Sequence, residues 1–235
     1  MINIFGVNGL VVWDEREIKL REFYIDYIGS ELYKAFYSIN RAWSIERIES
    51  STLIPLNLVN KNYTQEDFYK ISDELALRPE TTAGSYLYAK QKLKSSKLKV
   101  PAIIWQAGKS FRIEQDKTVK NMRLKEFYQM EFQCIYAEST MNDYFNIAIN
   151  NTARIISTVL NKNISIEPSD RLPSYSSKTI DLLVKNDGSN LELASISLRT
   201  DFDETITFKK IEKLLVVEVA IGIDRLVYSH FSNQD

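Results

Sequence analysis

Arginines, glutamates and a few aromatic rings crowd the stretch GKSFRIEQDKTVKNMRLKEFYQMEFQ, from Gly108 to Gln133. Side chains alternate across a strand, so Arg123, Lys125, Phe127, Gln129, Glu131 and Gln133 share one face. Leu124, Glu126, Tyr128, Met130, Phe132 and Cys134 share the other. The first face is polar around a single aromatic and the second is mostly apolar. Arg112 and Glu114, on one face of the preceding strand, add charges of both signs. Ionised groups gathered beside a core are costly unless they pair or bind a ligand. A structural salt-bridge network satisfies that condition, and so does a nucleotide pocket in which planar guanidinium groups hold phosphate oxygens in pairs. Glu218, inside an otherwise apolar run, carries the same implication, because an unpaired buried carboxylate is strongly disfavoured.

Other chemistries are restricted by what the chain lacks. His230 is the only histidine and Cys134 the only cysteine. An internal disulfide framework and a thiolate cluster within one chain are therefore excluded, a histidine-based triad or zinc site is not expected, and a reducing cytoplasm is the expected setting. Cys134 reads as a small buried hydrophobe and His230 as a surface residue. Thirty Lys+Arg against 31 Asp+Glu give a net charge of -1, so bulk electrostatics attracts neither nucleic acid nor an anionic membrane. The opening MINIFGVNGLVVWDERE has neither the basic leader nor the length of a signal peptide or membrane span.

The elements that position these residues follow from periodicity. Asp14 and Glu17 form a capping-box pattern ahead of Leu20, Phe23, Tyr24, Tyr27, Ile28, Leu32 and Phe36, which predicts a helix from about Arg16 to Asn40. A strand is expected between Trp43 and Pro55, a short helix over Tyr63–Ile71, and a helix over Thr82–Lys99 ending in the basic KQKLKSSKLK. Strands are expected over Ile103–Gln106, Phe111–Glu114 and Leu124–Tyr136, then a helix from a Thr140 cap to Leu160. EPSDRLPSYSSK reads as loop. Asp181–Val184 and Leu191–Leu198 form a hairpin through an Asp-Gly turn, Leu214–Val219 a buried strand and Ile221–Phe231 a last helix. Long antiparallel strands with a few helices give an α+β domain, and residues 1–235 are expected to form a single one.

Phe111-Arg112-Ile113-Glu114, a loop, and then Arg123-x-x-x-Phe127 resemble motif 2 of the class II aminoacyl-tRNA synthetases, over about residues 108–136. Gly222-Ile223-Asp224-Arg225 resembles motif 3, over about 214–231, and the predicted first helix and strand stand in the place of motif 1, about 16–55. The resemblance implies the class II core: a mostly antiparallel sheet flanked by helices, with a homodimer built through motif 1. It implies that Arg112 holds the ATP α-phosphate and the amino-acid carboxylate, and that Glu114 meets the adenine amino group. Arg123 and Arg225 would reach the γ-phosphate, and Phe127 would stack on adenine.

Four further stretches resemble glycyl-tRNA synthetase in particular. LRPETTAG (Leu77–Gly84) is similar to RPETAQG, and KLKVPAIIWQAGKSFR to P-x-x-x-x-Q-x-GKSFR. KEFYQMEF places Glu131 at a glycine-binding carboxylate, and LELASISLRTDFD is similar to EL-x-GIA-x-RTDFD. The implied amino-acid site is Glu80, Glu131, Arg199, Glu218 and Ala220, and Glu192 matches a carboxylate near the ATP-bound Mg2+. Departures fall around the substrate α-carbon: Val219-Ala220 where the family has Pro-Ser after the glutamate, Ser195 for a Gly, Ser197 and Leu198 for Ala and a polar residue, and Ala83 for a Gln. The resemblance thus implies ATP-dependent activation of a small amino acid, glycine first, to an aminoacyl-adenylate, with tRNA or a carrier protein as acceptor. A non-catalytic accessory or sensor module is the alternative. The family's anticodon-binding domain follows motif 3, whereas this sequence ends at Asp235, so a core without that domain is expected.

Overall fold

The computed structural model describes residues 3–5, 10–113, 122–170, 173–186, 188–202, 205–208 and 210–232. In chain order the elements are β1 (Asn3–Phe5), β2 (Leu10–Val12), α1 (Glu15–Ile39), β3 (Ser44–Arg47), β4 (Leu53–Pro55), β5 (Leu75–Leu77), α2 (Thr82–Lys94), β6 (Ala102–Phe111) and β7 (Glu126–Ala137). They continue with α3 (Tyr144–Leu160), β8 (Ser165–Pro168), β9 (Ser176–Asn186), β10 (Ser189–Arg199), β11 (Thr205–Phe208), β12 (Lys210–Gly222) and α4 (Ile223–Phe231). The central sheet runs β3-β6-β7-β12-β10-β9-β8, with β11 paired to β12. Every pairing in it is antiparallel except β3 with β6. The α+β expectation holds.

The two faces of this sheet differ. Ile103 and Trp105 of β6, Met130, Phe132 and Cys134 of β7, and Val217, Val219 and Ile221 of β12 enter one large apolar core. Helices α1, α3 and α4 cover it, contributing Tyr24, Ile28, Leu32, Phe36, Ile149, Ile156 and Leu226 among others. The capping box at the start of α1 forms as expected: Glu17 N donates to Asp14 Oδ1 at 2.9 Å and Asp14 N donates to Glu17 Oε2 at 3.1 Å. Residues between these core positions face the opposite way and carry Gln106, Glu131, Gln133 and Glu218, all buried. Helix α2 packs over that side, on a small apolar cluster with Ile104, Ile135 and Val216.

In β10 the alternation changes phase. Leu191 and Leu193 belong to the core, and so do Ala194 and Ile196, although their positions have opposite parity. The pairing with β9 shifts by one residue between Glu192 and Ala194. A β-bulge of this kind turns two successive side chains to the same face. As a result Glu192, before the bulge, and Ser195, Ser197 and Arg199, after it, share the polar face.

Several boundaries differ from the sequence expectations. Tyr63–Ile71 makes separate turns and no helix, because the Asp67 carboxylate takes Thr64 N and Thr64 Oγ1 while its carbonyl accepts from Ile113 N. Helix α2 stops at Lys94: Ser96 is left-handed (φ 54°), and Lys97 N and Leu98 N both donate back to Lys92 O. The cap of α3 is Asp143, which accepts from Asn146 N, whereas Thr140 N closes a turn onto Ala137 O. The strands expected over Ile103–Gln106 and Phe111–Glu114 are parts of one strand, β6, which ends at Phe111. The expected 43–55 strand is two, β3 and β4, with the loop between them pinned by Ser50 N and Oγ donating to Gln106 Oε1. The stretch read as loop contains β8 and the start of β9, and the hairpin strands are longer than expected, turning at Gly188 with φ 79°. Cys134 is fully buried, as expected. His230 is half-buried rather than superficial, with Nδ1 2.8 Å from the Tyr24 hydroxyl.

Candidate functional site

Cross-strand register sets out the site in rows. Gln106, Glu131, Ala220, Ser195 and Asp181 stand opposite one another across β6, β7, β12, β10 and β9. One pleat further along, Gln133, Glu218, Ser197 and Thr179 form a second row. Above them opens a cavity of about 610 Å3. Its walls include Glu80, Arg112, Arg123, Phe127, Glu131, Glu192, Glu218, Ala220 and Arg225. The structure therefore brings together, around one space, all but two of the residues to which the resemblance assigns a role in binding ATP or the amino acid. The exceptions are Arg199, which lies behind the wall, and Glu114, which is outside the described residues.

One end of the cavity is carboxylate-rich. The start of α2 lies across β7 and β12, so that Thr81 Oγ1 donates to Glu131 Oε2 at 2.7 Å. Thr82 Oγ1 is 2.9 Å from Glu131 Oε2 and 2.9 Å from Glu218 Oε2. One hydroxyl hydrogen serves only one of those oxygens at a time. Gln133 Nε2 and Arg199 NH1 each donate to Glu218 Oε2 at 2.7 Å. Glu80, on the segment entering α2, accepts from the Tyr63 hydroxyl at 3.2 Å and lies 3.7 Å from Arg199 NH2. Burial, and then the charges of Glu218 and Glu80, push the Glu131 carboxyl up to about 7. Burial also raises Glu80, with Arg199 opposing and Glu218 adding to the rise.

Arg199 is the cation behind this end. Its side chain is fully enclosed, with Nε donating to Asp201 Oδ1 at 3.0 Å and NH2 to Asp201 Oδ2 at 2.6 Å. Burial works to lower its pKa, but Glu218, Glu80 and Asp201 outweigh burial and hold the guanidinium charged. The Tyr175 ring lies 4.0 Å from its carbon centre.

The segment carrying Glu80 is held by Arg78, whose Nε donates to Lys109 O and whose NH1 donates to Ser50 O. A Cβ at Gly108 would stand 2.4 Å from Arg78 NH2, so a larger residue there would have to displace the guanidinium that Lys109 O and Ser50 O hold. Gln106 fastens the same region, with Nε2 donating to Thr81 O and Ser85 Oγ at 2.9 Å each.

Arginines line the same cavity. Arg112 falls just past β6, with Nε donating to Pro79 O at 2.9 Å and its guanidinium 5.2 Å from the Phe127 ring centre and 5.5 Å from that of Tyr63. Arg225, on the first turn of α4, pairs with Glu192 Oε1 at 3.2 Å and donates to Glu192 O at 3.0 Å. Asp224 beside it is buried and accepts from Tyr128 N at 2.9 Å, leaving Oδ1 without a partner. Burial pushes its carboxyl up to about 7.

Sequence reasoning missed Thr81, Thr82, Gln106, Gln133, Tyr63, Tyr175, Asp201 and Asp224 as parts of this arrangement. The strand alternation did place Gln133 beside Glu131, and the run after Pro79 contained both threonines. Tyr63 and Tyr175 arrive from loops, for which no periodic signal exists. Lys109 pairs with Glu126 at 2.5 Å on the partly exposed rim, and Lys125 is exposed.

The chain is 31% identical over 188 residues to a glycine--tRNA ligase of Mycoplasmopsis synoviae, covering 71% of this chain and 42% of the relative. It is 34% identical over 174 residues to a glycine--tRNA ligase of Mycoplasma capricolum, covering 66% of this chain and 38% of the relative. The chain thus spans about two fifths of the length of these relatives. Among solved structures, prolyl-tRNA synthetase of Cryptosporidium parvum, complexed with halofuginone and AMPPNP, superposes with a TM-score of 0.76 at 14% identity, over 99% of this chain and 49% of that one. Giardia lamblia prolyl-tRNA synthetase in complex with prolyl-adenylate gives 0.72 at 20% identity, over 97% and 49%. At such identities the structures establish the fold. Residues 63–234 match the tRNA synthetase class II core domain (G, H, P, S and T), and the chain belongs to that family.

Proposed function

We propose that this chain activates a small α-amino acid, glycine first, by joining its carboxylate to the α-phosphate of ATP and releasing pyrophosphate. The observation that carries the reading is that Glu80, Glu131 and Glu218, clustered through the partners they share, Thr82 and Arg199, line the same cavity as Arg112, Arg123 and Arg225. An amino acid presents a cation and an anion, and ATP presents three phosphates; the cavity is lined by groups of the complementary charges. In this reading the glutamates seat the α-ammonium group. Arg112 aligns the amino-acid carboxylate with the α-phosphate, Arg123 and Arg225 hold the outer phosphates, and Phe127 stacks on adenine, with Glu114 toward its amino group. Ala220 and Ser195, opposite each other across β12 and β10, border the space for the α-carbon.

The attacking carboxylate is already ionised, so no general base is required. Catalysis rests on alignment and on guanidinium charge opposing the negative charge that builds on phosphorus. Glu192 suits Mg2+, a hard cation that takes one or two carboxylates together with phosphate oxygens and would neutralise phosphate charge. Its carboxylate stands beside Arg225, 41% exposed and open to the cavity.

The described residues act as one catalytic core in this proposal. The acceptor is tRNA, with a carrier protein as the other candidate, and the setting is the cytoplasm; no helix among the described residues is long and apolar enough to cross a membrane. Phe23 (53% exposed), Tyr33, Tyr37 and Ile39 on α1 give a homodimer its contact face. Light scattering at micromolar concentration is expected to give twice the chain mass, and a monomer would remove that part of the reading.

The main test is ATP–pyrophosphate exchange across the amino acids. Exchange greatest with glycine or another small amino acid is expected. Exchange greatest with phenylalanine or lysine would overturn the small-substrate reading, and no exchange with any amino acid would leave a binding module.

A further inference from the structure

We propose that Asp201 is a positioning residue that sets the charge of the amino-acid pocket: by occupying Arg199 from behind, it leaves the three glutamates in front with negative charge to give to a substrate ammonium group. This rests on the reading of the cavity as an amino-acid site and deepens it.

The geometry gives Arg199 two sides. Nε and NH2 form a two-pronged pair with the Asp201 carboxylate, at 3.0 and 2.6 Å, and NH2 also lies 3.7 Å from Glu80 Oε1. NH1 faces forward onto Glu218 Oε2 at 2.7 Å. Neither Asp201 nor Arg199 lines the cavity, so neither reaches a ligand there. Asp201 is itself fixed, accepting from the Tyr86 hydroxyl on Oδ1 and from Asn60 Nδ2 on Oδ2, each at 3.1 Å. A bidentate carboxylate fork aligns the guanidinium plane as well as offsetting its charge.

The charge count makes the consequence concrete. Glu80, Glu218 and Asp201 supply three carboxylates around the guanidinium of Arg199, and Glu131 adds a fourth that shares Thr82 with Glu218. Arg112 acts on Glu80, and Arg78 on Glu131, from farther off. If Asp201 were neutral, the full charge of Arg199 would fall on Glu218 and Glu80, and the pocket would need an incoming cation less. Thr82 stands between two carboxylate oxygens that its one hydrogen cannot both satisfy. An α-ammonium group brings three donors to that place. The pocket is thereby selective for amino acids over hydroxy acids of the same shape, through a residue that touches neither.

The test is the variant Asp201→Asn, with Asp201→Glu as the charge-keeping control. In pyrophosphate exchange, Asp201→Asn is expected to raise the KM for glycine by roughly tenfold to a hundredfold, the range that follows from disturbing one buried charge-assisted contact, with the KM for ATP nearly unchanged. Inhibition by glycolate, which carries a hydroxyl in place of the ammonium group, is expected to stay the same or strengthen. Asp201→Glu is expected to recover part of the glycine affinity. Equal losses for glycine and glycolate would make Asp201 a merely structural residue and overturn the proposal. A second readout does not depend on catalysis: carboxyl 13C NMR of the ligand-free protein. There, removing the Asp201 charge is expected to lower the titration midpoint of Glu131 or Glu80. Unmoved midpoints would overturn the proposal even if the wild-type protein exchanged pyrophosphate with no amino acid, an outcome that defeats only the activity reading.

Discussion

The two faces of the central sheet are made from alternate residues of the same strands, and they are held by different physics. Beneath α1, α3 and α4, Phe132, Val217, Val219 and Ile196 meet other apolar groups and are essentially fully buried. Contacts there have no required direction, and their contribution scales with area. On the opposite face Glu131, Gln133, Glu218 and Arg199 are buried nearly as well. Glu131 Oε2 and Glu218 Oε2 there accept from particular donors: Thr81, Thr82, Gln133 or Arg199. Burial alone therefore does not separate framework from site; the difference lies in whether a neighbour can be exchanged for another of similar size. The apolar face tolerates such exchanges, and the polar one loses its ligand geometry with the first.

The largest expected break of this contrast is Arg199→Met. It preserves much of the side-chain volume yet leaves Glu80, Glu218 and Asp201 without the cation they share, and breaking a buried pair in this way costs about 3–5 kcal/mol. Urea unfolding is expected to show a loss of that size. Adding Glu218→Gln is expected to restore part of it, since the second change removes one of the stranded charges. If Arg199→Met unfolds at the wild-type urea concentration, the polar face is held by something other than this cation.

Much of this division was legible in the sequence. The alternation from Arg123 to Cys134 separated the two faces of β7, and the resemblance supplied Glu80, Glu192 and Arg199, which no periodicity could bring together. Strand alternation alone would set Glu192 and Arg199 on opposite faces; the bulge between Glu192 and Ala194 reconciles them, and no residue in that run of ordinary β-formers announces it. The overextended helix at Lys94 and the misplaced cap at Thr140 failed for a local reason. Propensity sees candidate caps, but the choice between them is made by which hydrogen bonds the backbone closes, as Lys97 and Leu98 do onto Lys92. Asp201 was quoted only as part of a motif, since its role depends on meeting the far side of a guanidinium.

A sharper view of the polar face comes from pH. Burial, first of all, raises Glu131 to about 7, well above its unfolded value near 4.5. A carboxyl with a raised folded pKa binds more protons folded than unfolded, so its stabilising effect is complete below about 4.5 and lost as pH rises through 7. Asp224, raised to about 7 by burial, acts in the same direction. The ligand-free protein is expected to melt higher at pH 5.5 than at pH 8, the difference being on the order of a few kcal/mol. Glu131→Gln is expected to flatten that slope partially. A melting temperature that rises from pH 5.5 to 8 would contradict the assignment. Glycine affinity is expected to run the opposite way, improving as Glu131 ionises.

The smallest expected effect tests the independence of the two faces at closest range. Ile196 is fully buried in the apolar core, while its chain neighbours Ser195 and Ser197 line the cavity. Ile196→Val removes one methylene from the core side of β10 and changes nothing that points into the cavity. The loss is about 0.5–1.5 kcal/mol, because the surrounding Leu, Val and Phe side chains relax only partly into the space left. If the faces are independent, urea unfolding shifts by that amount while the KM values for glycine and ATP stay within about twofold, less than half a kcal/mol. Should the KM for glycine rise markedly on so small a change, β10 would be transmitting core packing to Ser195 and Ser197. The backbone between the faces would then be part of the specificity device instead of a neutral partition.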